Sequence, residues 1–529
     1  PADKWVNNAT PGGMLLSLVQ LGKQDEMISG SGFKDTDVYD IGNLIDQNIT
    51  SYCNSQFHPK LRLTVESALQ YAEYNDVQGV KTQISVVADY IDSVSLSVRT
   101  PSLAIDNSGA ANANGTIVTP PPSQITKAID TIYRTLSTYS EPGESAAQAI
   151  RTATRFLSAT QMETPDPVVM EMLNQLKEVG ADDYEGLMNV LSSVSDESEV
   201  KVGWCDCIAL ALYNNYSINY AGQSLVNSTS TADYILQTLF MDPSTMTAAG
   251  QHRHNIDKAS VMATQSQIYF SQLPSFPFAL CHSMYPLHNT HYHPIDISMQ
   301  CKPMSSLVVV SGAGPQTVIA GGDEYGKPLS KCIQMAFDVR LVFTSQEERL
   351  YVEDSITKRT MLTPNMMTLN QTSTQQTFEI ACHHPAVATI VVAVSAKNRA
   401  DNNHFCFGSD DGSAIVKHFK MKLHSQVFDV PAQRAHVQQQ IECLGKYTEQ
   451  DAIYVFPHCV NLRDAQNVYN GSINLSRTNP TISITLGRDD SIFKSLNGKH
   501  DGAQIHVLRL LYNSFTGKEG TMGVEFVVT

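Results

Sequence analysis

The densest group of residues able to bind a metal lies in the segment CHSMYPLHNTHYHP, at residues 281–294. Its thiol and imidazole groups are ligands that zinc, copper and iron accept in proteins. His291 and His293 stand two positions apart, so a strand would carry both rings on one face. The segment could therefore form a metal site from Cys281, His288, His291 and His293.

The spacing around these histidines argues against a metal site. No Asp or Glu stands at a matching ligand position, because Asp296 falls in the following segment and a third ligand would have to come from elsewhere. We therefore expect a loop that leads into a strand at residues 295–299, without a metal. The alternative is a cupin-like jelly-roll metalloenzyme that uses His288, His291 and His293 together with Cys281.

Other catalytic patterns are also missing from the sequence. There is no GxxxxGK[ST] phosphate-binding loop, no GxSxG nucleophile turn and no HExxH zinc motif. Cys382 and His383 are adjacent, which on a strand would place them on opposite faces and not together as a catalytic pair. We predict no catalytic residue, no cofactor-binding residue and no metal ligand, and hence that the protein is not an enzyme.

Charge and composition restrict the class of protein further. Of 529 residues, 42% are hydrophobic and only 17% are charged, against about 25% charged in an average soluble domain. Lys and Arg number 36 and Asp and Glu 52, which gives a net charge of −16. A chain this acidic is not expected to bind nucleic acid through its phosphates. The shortage of charge also indicates that neighbouring subunits cover much of the surface.

Hydrophobic periodicity divides the chain into β-type and helical parts. Short stretches such as DYIDSVSLSVRTP, at 89–101, alternate as strands do. Residues 105–200 instead have helical spacing, for example at Ile125, Ile129, Ile132 and Leu136. Residues 312–328, rich in glycine, are interpreted as a linker. We predict a first β domain from 1–104 and 201–325, a helical insertion at 105–200, and a second β domain at 326–529.

Several segments, in order along the chain, resemble one family. GSINLSRTNPTISITL, at 471–486, is similar to its "PSG-x-x-NFSRIDN-x-x-L" segment, through Gly471, Asn474, Ser476 and Arg477. IHVLRLLYNSFTGKEGTMGVEFV resembles its closing strand and retains Tyr512 and Asn513. Weaker matches lie at 12–30, 203–223 and 273–281. The chain thus resembles the major capsid proteins of nucleocytoplasmic large DNA viruses, relatives of the iridovirus and algal-virus capsid proteins.

The resemblance implies a mainly β fold of two consecutive eight-stranded antiparallel jelly rolls, with the helical insertion in the first as an outer cap. It implies a structural subunit whose homotrimer is a pseudo-hexagonal capsomer that tiles an icosahedral shell. The implied partners are neighbouring capsomers, minor capsid and penton proteins, and an internal viral membrane. The implied location is the virion capsid, after assembly in the host cytoplasm.

Two questions stay open from the sequence alone. By resemblance, Asn474 and Arg477 fix a turn or a contact between the two barrels, whereas an exposed turn before TISITL explains them equally well. A glycan-binding β-sandwich, such as a fibre or spike, is a third functional class. Fibre proteins usually contain repeats or heptads, and neither is found here.

Overall fold

The computed structural model describes residues 64–84, 88–105, 116–118, 201–277, 279–281, 284–287, 293–311, 316–325, 327–343, 357–382, 384–408, 414–423, 426–448, 452–463, 465, 470–475, 480–488, 490–494, 500–518 and 521–524. The motif match at 12–30 lies outside these residues. So does the predicted helical insertion at 105–200, apart from Ile105 and Thr116–Val118.

The strands of the first half of the chain are, in order, β1 (Thr64–Glu73), β2 (Val80–Ile84), β3 (Tyr90–Thr100), β4 (Leu103–Ile105), β5 (Thr116–Val118), β6 (Lys201–Trp204), β7 (Tyr213–Tyr220), β8 (Gln223–Thr229), β9 (Gln267–Gln272), β10 (Tyr285–Pro286), β11 (Ile295–Cys301), β12 (Val308–Ser311), β13 (Gln316–Ala320) and β14 (Gln334–Phe343). Those of the second half are β15 (Thr357–Gln371), β16 (Gln375–Glu379), β17 (Pro385–Val394), β18 (Val416–Leu423), β19 (Gln426–Pro431), β20 (Tyr454–Pro457), β21 (Ile473–Asn474), β22 (Thr481–Leu486), β23 (Ala503–Lys518) and β24 (Thr521–Val524).

The helices are short and stand between these strands. They are α1 (Ile208–Ala211), α2 (Ser230–Phe240), α3 (Pro243–Ala248), α4 (Ile256–Ala263), α5 (Leu329–Cys332), α6 (Ala396–Ala400), α7 (Gln439–Leu444) and α8 (Asp490–Phe493). Single turns of 3₁₀-helix lie at Ala279–Cys281, Met304–Ser306 and Gly322–Glu324, and a π-helical turn at Arg434–Gln438 precedes α7. None of the helices within the described residues has the length and hydropathy needed to cross a membrane.

Two antiparallel sheets form the first sandwich. One has the order β1-β14-β3, and β9 and β10 both pair with the free side of β3. The other has the order β2-β11-β7-β8. Strands that are distant in sequence are therefore neighbours in each sheet, and the sequence-consecutive strands β1, β2 and β3 alternate between the two sheets. This connectivity is that of a jelly roll, which buries one face of each sheet against the other.

The second sandwich repeats the same strand order. Its sheets run β15-β23-β17-β20 and β16-β22-β18-β19, with β21 added to β17 and β24 to β23. When the eight main strands are counted along the chain, both sandwiches pair them as 1-8-3-6 and 2-7-4-5. The predicted architecture of two consecutive eight-stranded jelly rolls is confirmed.

Strand β14 determines where the first sandwich ends. It pairs with β1 over its whole length, from Thr64 opposite Phe343 to Glu73 opposite Gln334, and with β3 on its other side. The sequence prediction placed this strand in the second domain, which it began at residue 326. Because β14 is the closing strand of the first sandwich, we propose that the division lies between Phe343 and Thr357.

The segment predicted as a linker contains a strand instead. Within residues 312–328, β13 pairs with β4 on one side and β5 on the other, and Val318, Ile319 and Ala320 are fully buried. The preceding strand β12 pairs with β6. Strands β4 and β6, which flank the predicted insertion, are thus both anchored by the continuous stretch that contains β12 and β13. The glycines on both sides of β13 are typical of a loop, and for that reason the sequence analysis interpreted the segment as a linker.

Helices α2 to α4 were missed by the sequence analysis, although their capping residues are visible in the sequence. The side chain of Thr229 accepts a hydrogen bond from the Ala232 N–H at the start of α2. Asp242 stands just before Pro243, the first residue of α3, and its side chain accepts a hydrogen bond from the Ser244 N–H. Asn255 caps α4 in the same way. The strand pattern on either side obscured these short helical signals.

We expect Phe337→Ala, in β14, to destabilise the first sandwich by about 3–5 kcal/mol, because the ring is fully buried there. Trp204, also buried in the first half of the chain, reports unfolding of that sandwich by fluorescence. Denaturant unfolding should show a lower midpoint for the tryptophan transition in this variant. The matched variant Phe419→Ala, in β18, should shift that transition less; an unchanged midpoint in Phe337→Ala would contradict the assignment of β14.

Candidate functional site

The two sandwiches meet at residues 402–408, here called the junction segment, which follows α6 of the second sandwich. The amide of Asn402 donates to the carbonyls of Ser305 at 2.9 Å and Val308 at 3.0 Å. His404 Nε2 lies 2.7 Å from the Ser306 carbonyl oxygen. The acceptors are backbone carbonyls of the 3₁₀ turn at Met304–Ser306 and of β12. These contacts therefore fix the position of the junction segment without needing particular side chains in the first sandwich.

Aromatic packing covers the same junction. The rings of Tyr234, in α2, and Phe405 are stacked with centroids 4.5 Å apart and planes 3° from parallel. Phe407 approaches Tyr234 edge-on at 5.5 Å. All three rings are fully buried, and aromatic pairs of this geometry stabilise beyond the area they bury. Lys446 adds a hydrogen bond to the Met241 carbonyl, at the end of α2.

A buried carboxylate holds the start of α2, one residue before Tyr234. Asp233 is fully buried and accepts hydrogen bonds from Tyr213 at 2.6 Å, Ser228 at 3.1 Å and Ser275 at 2.5 Å. Burial raises the pKa of Asp233 to about 6, and the hydroxyl donors oppose that rise. Burial and the Asp233 charge also raise the pKa of Tyr213 well above its usual range. The network ties α2 to β7, β8 and residues 273–277.

A second buried carboxylate, Asp206, organises the turn before α4. It accepts hydrogen bonds from the backbone N–H groups of His252 at 2.7 Å and Arg253 at 3.1 Å. His254 Nε2 lies 3.6 Å from the other carboxylate oxygen. Arg253 and His254 both have positive φ values of 57°. The sequence HRH, at residues 252–254, therefore has a structural role around one carboxylate.

The structure places part of the predicted metal-ligand cluster. His293 is exposed in the bend before β11, with its ring edge-on to Tyr220 at 5.8 Å. His288, His291 and the side chain of Cys281 lie outside the described residues. Among the residues that the structure describes, no group of three His, Cys, Asp or Glu side chains is arranged to hold a metal ion.

The two motif segments lie on opposite sides of β17. Residue Ala386 pairs with Ile473 on one side and with Leu511 on the other. Gly471 has φ +133°, and an added Cβ would come within 3.1 Å of the Cys459 Cα, so only glycine fits that turn. Asn474 is exposed at the end of β21, while Ser476 and Arg477 lie outside the described residues.

The closing-strand residues are buried. The Tyr512 hydroxyl donates to the Ala465 carbonyl at 3.1 Å, and Asn513 is 3% exposed. In the same strand, Arg509 is also buried and donates to the carbonyls of Ile380 and Ala381 and to Asn365 Oδ1. The sequence analysis missed Arg509, although a single charge in the apolar run IHVLRLLY was a visible signal for a buried, hydrogen-bonded group.

No protein-family model and no curated protein sequence matches the chain. Solved structures do. PBCV-1 VP54, fitted into a reconstruction of the virophage Sputnik, is similar with a TM-score of 0.54 at 12% identity, over 89% of this chain and 98% of that chain. The same values hold for the quasi-atomic structure of the PBCV-1 capsid. The Faustovirus major capsid protein aligns over 91% of this chain and 99% of its own, at 10% identity and a TM-score of 0.48.

The chain has the fold of the double jelly-roll capsid proteins. The match covers nearly the whole of VP54, so it includes both sandwiches and not a single shared barrel. At 12% identity it concerns the fold, and the side chains that stabilise that fold in this chain are those described above.

We expect a measurable energetic coupling across the junction. In a double-mutant cycle of Tyr234→Leu and Phe405→Leu, the loss of the stacked pair should give an interaction energy of about 0.5–1.5 kcal/mol in the free energy of unfolding. The control cycle pairs Tyr234→Leu with Tyr454→Leu, whose ring contacts Phe419 in the second sandwich. These distant changes should be additive; additivity at the junction as well would exclude a specific contribution of the stack.

Asp233 should make stability depend on pH. Its pKa is raised from 3.8 to about 6 on folding, so its contribution is fully present below the unfolded pKa and is lost as pH rises through 6. Relative to Asp233→Asn, the wild type should therefore lose about 3 kcal/mol of unfolding free energy between about pH 4 and about pH 7. Unfolding at several pH values measures this difference. A pH-independent difference between the wild type and Asp233→Asn would contradict the assignment.

Proposed function

We propose that this protein is a structural subunit of an icosahedral viral capsid and not an enzyme. The observation that supports this function is the repeated jelly roll, with one strand order in both halves and a match over 98% of a protein found in the PBCV-1 capsid. Two similar sandwiches in one chain let three chains offer six similar faces, which suits a shell whose neighbours are arranged in near six-fold symmetry. The proposed unit is a homotrimeric, pseudo-hexagonal capsomer.

Exposed apolar side chains on the edge strands support lateral assembly. Tyr71 on β1 is 79% exposed and Ile268 on β9 is 70% exposed, at opposite edges of one sheet. Val427 and Phe428 are exposed on β19, an edge strand of the second sandwich. Exposed apolar edges promote uncontrolled pairing unless something covers them. Neighbouring subunits in a trimer and a lattice would cover these edges.

The remaining parts of the proposal concern the insertion, the partners and the location. Residues 105–200 would form an outer cap, since β4 and β6, which flank most of them, are held by the neighbouring strands β13 and β12. Minor capsid proteins, penton proteins and an internal viral membrane would be the other partners, in a virion assembled in the host cytoplasm. The metalloenzyme alternative is not favoured, because the solved structures that this chain resembles are those of capsid proteins.

In solution we expect a stable homotrimer, with a mass three times the 58.1 kDa of the chain. Light scattering coupled to size-exclusion chromatography measures it, and negative-stain images of the assembled protein should show pseudo-hexagonal capsomers. A 58.1 kDa species alone, over a wide concentration range, would contradict the trimer.

The edge strands offer a paired test of the contacts. Ile268→Lys puts a charge on the apolar edge of β9 and should weaken self-association, because an unpaired charge in an interface is costly. Val261→Lys is the control, since Val261 is also 70% exposed but lies on the helix α4 and not on an edge strand. Equal association of both variants would place the contact elsewhere.

A further inference from the structure

A cavity of about 200 Å³ lies between the two sandwiches, next to the junction segment. The first sandwich contributes Lys302 and the start of α2, and the second contributes residues of β15, β17 and β23 together with α6 and His404. The lining is Asn214, Thr229, Ser230, Thr231, Lys302, Thr368, Val394, Arg399, His404, Gln504 and His506. The cavity has room for several waters, at about 30 Å³ each, or for one small ion with its nearest waters.

The lining gathers basic groups. Lys302 and Arg399 face the cavity with two histidines, His404 and His506, and none of the described lining residues is Asp or Glu. Burial is the main cause that lowers the pKa of Lys302 to about 8, that of His404 to about 3 and that of His506 to about 4. The charge of Lys302 lowers the pKa of both histidines, and that of Arg399 also acts on His506. In a chain of net charge −16 this accumulation is unusual.

His506 shows that the cavity has an unused polar group. The residue is 8% exposed, and its Nδ1 lies 3.1 Å from the Thr368 hydroxyl. Among the described residues, its Nε2 has no hydrogen-bond partner, yet it is not sealed off from the space beside it. Arg399 and Lys302 likewise form no ion pair with any residue in the described part of the chain; Lys302 Nζ instead lies 5.9 Å from the centre of the Phe405 ring.

The N-terminus of α2 opens on the same cavity. Thr229 is its N-cap, and Ser230 and Thr231 are its first residues. The first N–H groups of a helix lack partners within it and attract anions. The carboxylate of that turn, Asp233, is bound by three hydroxyl groups and does not line the cavity. Asp206, the other buried carboxylate described above, is bound to backbone N–H groups and does not line the cavity either.

We propose that this cavity binds a small tetrahedral oxyanion, of the phosphate or sulfate type, held by Lys302, Arg399 and the N-terminus of α2. The donors converge from both sandwiches, so a bound anion would join the two halves of the chain. The site is independent of the proposed capsid role, because it depends only on groups within one chain.

The test uses the full-length protein and inorganic sulfate, with chloride at matched ionic strength as the reference. Calorimetry should show one sulfate per chain, and sulfate should raise the unfolding temperature more than chloride does. Lys302→Met keeps the packed stem without the charge and should weaken sulfate binding about tenfold or more, as the loss of a charge-assisted hydrogen bond does. Arg399→Gln should weaken it similarly, and it decides the matter if Lys302→Met fails to fold.

The control is Lys258→Met, which removes the same charge from an exposed position on α4 and should leave sulfate binding unchanged. Equal stabilisation of the wild type and both cavity variants would mean a general salt effect and would overturn the site. Inorganic phosphate should bind as sulfate does. Acetate binding as tightly as sulfate would overturn the preference for a tetrahedral anion.

Discussion

Two sandwiches in one chain behave as one rigid subunit only if the surface between them resists rotation. Here the junction segment contributes to that resistance, because a stacked Tyr234 and Phe405 are flanked by hydrogen bonds from Asn402 to two backbone carbonyls. Stacking fixes the tilt of one ring against the other, and the two hydrogen bonds fix where Asn402 sits on β12 and on the turn before it. In the proposed capsid lattice this fixed angle would matter, since errors in it would add up over many neighbours.

Buried polar groups sit beside this surface and specify its geometry at a cost in stability. Asp233 would be costly as a lone buried charge, but three hydroxyl donors offset much of that cost. Because the donors come from β7, from β8 and from the loop before the 3₁₀ turn at Ala279–Cys281, they fix the position at which α2 starts. Arg509 acts similarly in the second sandwich, where it donates hydrogen bonds to the carbonyls of Ile380 and Ala381, in the loop between β16 and β17. Both groups favour one arrangement of the elements around them.

The sequence predicted the fold well and the junction poorly, for physical reasons. Strand β3 alternates and β17 is a continuous apolar run, so both were recognisable from local pattern. Strand β14 is also recognisable from its own residues, but its partners lie some 235 to 280 positions earlier, and nothing local assigns it to the first sandwich. The junction residues are chemically ordinary in sequence. Only folding brings Tyr234 to Phe405, and therefore no spacing could reveal them.

The cavity between the sandwiches could not be predicted from the sequence for the same reason. Lys302, Arg399 and His506 come from three distant segments, and each alone would be interpreted as an ordinary surface or core residue. Burial, together with the charge of Lys302, lowers the pKa of His404 and of His506 and so favours their neutral forms. A bound anion would reverse that preference and stabilise the charged forms. An anion bound at the proposed site would therefore stabilise the folded chain, because it would offset the burial of several basic groups beside one another.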